Sequence, residues 1–123
     1  MKIIGKGVST MCTKSELQKI TSAMAARYKE IFGEKLKQVI LYGSYARGDY
    51  DNESDIDIVG IVDCPREELS GYMRSVVKTA SDLDLEYGVM VSPSAIPYKD
   101  FMTYKDDLPY YRNIHNEGVV LSA

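Results

Sequence analysis

The stretch Tyr42-Gly43-Ser44-Tyr45-Ala46-Arg47-Gly48, followed after a polar passage by Asp55-Ile56-Asp57-Ile58-Val59, decides how this chain folds. The residues leading into it, Gln38-Val39-Ile40-Leu41-Tyr42, form a short β-prone run that stops at Gly43-Ser44. Polar residues then occupy Arg47 to Ser54, and Asp55 to Val59 alternates like a second strand. Side chains alternate across a strand, so Asp55 and Asp57 share one face while Ile56 and Ile58 enter the core; the two aspartate Cα atoms are then about 6.6 Å apart. Two carboxylates placed this way can converge on a cation.

Magnesium suits such a pair, since it takes oxygen ligands, keeps several waters and is usually held by one or two carboxylates plus substrate phosphates. In two-metal sites one ion activates the attacking oxygen and the other steadies the leaving group. Mn²⁺ would serve in the same position. Gly43 allows the backbone to come close to a phosphate, Ser44 offers a hydroxyl and a backbone N–H at a helix start, and Arg47 can neutralise phosphate charge.

Working outward, Thr13 and Glu16 have the spacing of a capping box, and Leu17, Ile20, Met24, Tyr28 and Ile31 recur at helical intervals up to Gly33. After Pro65, Leu69, Met73, Val76, Val77 and Ala80 predict a second helix. Leu83 to Val91 reads as a third strand closed by Ser92-Pro93, with short helices around Asp100–Tyr104 and Pro109–Asn116. The tail Val119-Val120-Leu121 either pairs as an edge strand or simply packs. The expected fold is α/β, a short mixed sheet with helices packed mainly on one face and the Gly-Ser turn and both aspartates at one rim.

The 123 residues suffice for one sheet-and-helix core, and with no repeat, linker or low-complexity tract a single domain over 1–123 is expected. A composition of 45% hydrophobic and 27% charged residues is that of an ordinary globular chain. With 15 Lys+Arg against 18 Asp+Glu the net charge is -3, which argues against a general nucleic-acid grip. Cys12 and Cys64 are isolated, so neither a zinc site nor a disulfide framework is indicated, and a reducing cytoplasm fits. Met1 to Cys12 lacks the apolar run of a signal peptide, and no stretch has membrane-spanning length.

Neighbouring motifs fail on their own rules. Gly43 and Gly48 have P-loop spacing, but Asp49-Tyr50 stands where Lys-Ser/Thr is needed. The acidic run from Asp49 is not an EF-hand, because Ser54 replaces the turn glycine and Gly60 the final glutamate. His115 is the one histidine and has no evident catalytic partner. Tyr98, Tyr104, Tyr110 and Tyr111 suit either packing or a partner surface.

Gly43-Ser44, ten intervening residues, then Asp55-x-Asp57 resembles the signature of the DNA polymerase β-like nucleotidyltransferase superfamily, in particular its minimal nucleotidyltransferase branch. Length, strand order and the closing Leu108 to Gly118 are similar to single-domain members too. The resemblance implies ATP as substrate, a divalent metal, and transfer of AMP onto a tyrosine of a HEPN-type toxin encoded by a neighbouring gene, with this chain as the antitoxin. It further implies a third carboxylate from a later strand that binds metal or takes the acceptor's proton; Glu86 is the candidate, with Asp84 the alternative on the same face. Without that acid, the chain would act by masking its partner. Transfer to a small molecule such as an aminoglycoside is a further alternative, for which dimerisation would have to supply a missing wall.

Overall fold

The computed structural model describes residues 12–122; the reading of the leader as lacking a signal sequence concerns residues outside that span, Cys12 apart. Helix α1 is Lys14–Phe32. Thr13 caps it as expected: its hydroxyl accepts from Glu16 N at 3.0 Å, and Glu16 Oε1 accepts from Thr13 N at 2.9 Å. A 3₁₀ turn at Gly33–Lys35 leads into β1, Leu36–Tyr42, and then α2, the single turn Ser44–Arg47. Strand β2 is Ile56–Val62, helix α3 Arg66–Tyr87, and strand β3 Val91–Pro97. Two short helices follow, α4 at Tyr98–Tyr104 and α5 at Pro109–Glu117, before strand β4 at Val119–Ser122.

The four described strands form one mixed sheet in the order β3-β2-β1-β4. β1 is antiparallel to both β2 and β4, and β2 is parallel to β3. The tail therefore pairs as an edge strand. The parallel step from β2 to β3 needs a long crossover, which α3 supplies.

Alternation sorts the sheet into two faces. Val39, Leu41, Ile56 and Ile58 pack with Ile20, Met24 and Tyr28 of α1 and Val76 and Ala80 of α3. Ile40, Val59 and Ile61 pack on the other side with Phe101 of α4 and Ile114 of α5. The two long helices cover one face as expected, and α4 and α5 cover part of the other. Tyr28 fastens α1 to the outer strand: its hydroxyl donates to Ser94 O at 2.6 Å and accepts from Ser94 N at 3.1 Å. A Cβ on Gly60 would lie 2.7 Å from the Tyr28 ring, so this close seating of helix on sheet requires glycine there.

The third strand differs from expectation. Leu83–Tyr87 is the last turn of α3, and the strand begins only at Val91. Leu83, Leu85 and Tyr87 imitate strand alternation, yet Leu83 extends the buried stripe of Val76 and Ala80 while Leu85 is 87% exposed. Gly88, at φ 66° and ψ 38°, takes the left-handed conformation that ends the helix. Pro93 and Pro97 hide β3 in the sequence; both are tolerated because an edge strand leaves one side of its backbone unpaired.

Candidate active site

The turn between β1 and α2 and the start of β2 meet at one rim of the sheet. Tyr42 is the cross-strand partner of Asp57, which brings Gly43 alongside the aspartate. Gly43 has φ 77°, and a Cβ on it would clash with Asp57 Oδ2, so both the turn and the close approach require glycine. Backbone N–H groups of Ala46 and Arg47 return to Gly43 O at 3.1 and 3.0 Å, which closes the single turn of α2. Such a short helix has little macrodipole, so any anion at Ser44 would be held by local hydrogen bonds.

The chain returns to Asp55 through a loop tied by Asp51, whose carboxylate accepts from Glu53 N at 2.9 Å and Ser54 Oγ at 3.2 Å. Stacked Tyr45 and Tyr50, 4.1 Å between centroids, anchor that loop to the core. Asp55 is exposed and Asp57 half-buried, while Ile56 and Ile58 are fully buried. Asp57 is harder to ionise than an ordinary aspartate, first because of burial and second because of the Asp55 charge; Arg47 partly opposes this. The pair is thus a preformed acidic site that would gain from a bound cation. Two carboxylates on one face beside a glycine turn fit a magnesium ion that takes its other ligands from phosphate and water.

Arg47 lies near enough to influence Asp57, but its guanidinium is also engaged by Asp49 at 3.1 Å and Glu117 at 3.4 Å. It stays ionised firmly because of those two acids, Asp49 foremost.

Glu86 does not join this cluster. It is exposed on helix α3 rather than on a strand facing the aspartates. Asp84 is likewise helical, and its Oδ1 accepts from Val91 N at 2.7 Å, which fixes the entry to β3. Neither supplies the expected third acid, and no group of three or more His, Cys, Asp or Glu that could hold a metal occurs among the described residues. The reason is the helix: continuing α3 to Tyr87 moves the whole acidic segment off the sheet. The strand position beside Asp57 belongs to Ser92, whose hydroxyl donates to Asp55 Oδ2 at 3.2 Å.

Sequence reading left Tyr110 between packing and a partner surface and did not pair it with Tyr42; their hydroxyls are 3.0 Å apart next to the site. The strand parity of Tyr42 and Asp57 was available, but their register was not. Among described residues no helix is long and apolar enough to cross a membrane, and Cys12 and Cys64 are free and buried.

Residues 22–120 match the nucleotidyltransferase domain family. The chain belongs to that family. Three Methanocaldococcus jannaschii proteins, each named "putative protein adenylyltransferase", resemble this nucleotidyltransferase. One is 33% identical over 90% of this chain and 99% of its own length. The second is 44% identical over 51% of this chain and 62% of its own. The third is 32% identical over 68% and 57%. Among solved structures, a toxin–antitoxin crystal structure with AMP-PNP is 16% identical, covering 81% of this chain and 71% of that one at a TM-score of 0.48. A Sulfolobus solfataricus chain described as a "putative nucleotidyltransferase" is 25% identical, covering 89% and 87% at a TM-score of 0.40.

Proposed function

We propose that this nucleotidyltransferase moves AMP from ATP onto a tyrosine hydroxyl of a partner protein in the cytoplasm, the partner being a HEPN-type toxin from a neighbouring gene that the modification silences. The observation that carries the reading is the pairing of Asp55 and Asp57 against the Gly43-Ser44 turn within a matching family domain. A protein acceptor is supported by the names of the Methanocaldococcus jannaschii relatives; the toxin rests on the resemblance of the motif and chain length to minimal nucleotidyltransferases.

Asp55 and Asp57 would hold Mg²⁺, one ion or two, and Mn²⁺ would be accepted by the same oxygens. Bound divalent metal would neutralise triphosphate charge and polarise the reacting phosphorus. Gly43 keeps the turn close to the phosphates, Ser44 contributes hydroxyl and amide donors, and Arg47 adds positive charge at the edge. The chain's contribution is positioning and electrostatic stabilisation in a rigid sheet rim.

The test is transfer of label from α-³²P-ATP with Mg²⁺ to the neighbouring gene's product. Label on a partner tyrosine that disappears with Asp55→Asn/Asp57→Asn supports the reading, and its absence with active partner present removes it. One observation favours a second reading: Ser92 stands where a third acid would complete the carboxylates. In that case the chain neutralises its partner by binding alone, and Asp57→Asn would protect cells from the toxin as well as wild type does.

A further inference from the structure

Tyr42 and Asp57 sit directly opposite each other on antiparallel strands, on the face that carries α4 and α5. Such partners have Cβ atoms about 4.5–5.5 Å apart. The Tyr42 ring meets Tyr110 of α5 edge-on, with centroids 5.9 Å apart, an interplanar angle of 82° and hydroxyl oxygens 3.0 Å apart. Tyr110 is 49% exposed, so the outer phenol of this pair is open to solvent. Tyr42 is half-buried, opposite Asp57 on the neighbouring strand and against Tyr110 of α5, so one side chain links the aspartate's strand position to Tyr110. The rim that would hold a nucleoside triphosphate therefore already has a tyrosine hydroxyl tethered beside it.

We infer that Tyr110 is itself a nucleotide acceptor: the chain adenylylates its own Tyr110, and Tyr42, opposite Asp57 on the neighbouring strand, is the positioning residue that tethers that hydroxyl at the rim. This rests on the reading of the site as one that attacks the α-phosphorus of ATP. In the step, Tyr110 Oη forms a bond to the α-phosphorus and the bond from that phosphorus to the bridging oxygen breaks. Pyrophosphate leaves with the electron pair, and the phenolic proton passes to water. The product ester leaves Tyr110 without a free hydroxyl, so the reaction stops at one AMP per chain.

The experiment uses the full chain with Mg²⁺ and α-³²P-ATP, alone and beside the neighbouring gene's product, read by intact mass and peptide mapping. Expected is one AMP on the peptide containing Tyr110, at a rate per chain unchanged by about tenfold dilution of protein, as for an intramolecular reaction. The label is lost in Tyr110→Phe and in Asp55→Asn/Asp57→Asn. Tyr42→Phe lowers the maximal self-labelling rate without changing the ATP concentration that gives half of it, which a general loss of folding would not do. Label on the partner with none on the chain overturns the inference and leaves the proposed function standing. Label at another residue of the chain overturns it as well. No transfer to either protein removes both.

Discussion

Asp57→Asn separates the cost of the acidic site from its use. Two unit charges about 6.6 Å apart, the strand spacing of alternate residues, repel by about 0.6 kcal/mol in water and about 2.5 kcal/mol at an effective dielectric constant of 20. Asp55 is exposed and Asp57 half-buried, so solvent screens the pair, and Arg47 offsets part of the repulsion. A net relief of about 1 kcal/mol is reasonable for the metal-free protein, which for a domain of this size is a rise in Tm of roughly 3–5 °C. The pH dependence follows from the direction of the shift. Folding raises the Asp57 pKa, so the fold is favoured while Asp57 is protonated, and that advantage is lost as pH rises through the folded value. Asparagine never ionises. The variant should therefore be more stable than wild type at neutral pH, with the gap closing below the ordinary aspartate range, about pH 3–4. Added Mg²⁺ should raise the Tm of wild type and leave Asp57→Asn unmoved. Thermal melts with chelator and with Mg²⁺, at both pH values, check all of this. A variant that is less stable than wild type at neutral pH without metal, or whose advantage persists in acid, would refute an electrostatic origin for the strain at this site.

Four further substitutions test the architecture around the pair. Gly43→Ala should lose about 1–3 kcal/mol in denaturant melts and abolish label transfer, because it forces alanine into φ 77° and against Asp57 Oδ2. Tyr28→Phe should cost about 1–3 kcal/mol by urea unfolding, since Ser94 N–H and C=O lose their partner, with faster amide exchange confined to β3 as the local signature. Glu86→Gln should leave stability within about 0.5 kcal/mol of wild type and transfer unchanged, as for an exposed side chain on a helix. Ser92→Asp, by contrast, should tighten Mn²⁺ binding measured calorimetrically, because it adds a carboxylate at the strand position next to Asp57.

The sequence by itself determined the parts governed by local physics. The capping box of α1, the helical stripe of α3, the positive-φ glycine after β1 and the alternation that sends Ile56 and Ile58 inward and the aspartates outward all depend on neighbours within a few residues. The Gly-Ser and Asp-x-Asp spacing was legible for the same reason: one turn and one return strand hold the whole constellation.

The tertiary structure alone decided what crosses between strands. Leu83 to Tyr87 satisfies both the helical and the strand period, and only the buried stripe against α1 and the sheet chose helix, which carried Glu86 and Asp84 away from the carboxylates. Pro93 and Pro97 argue against a strand until β3 is seen to be an edge. Placing Ser92 beside Asp57 needs the β2–β3 register, and bringing Tyr110 to Tyr42 needs the packing of α5 on the far face, 68 residues away in the chain. Registers and helix docking are set by burial summed over the whole core, and no short window of sequence contains that sum.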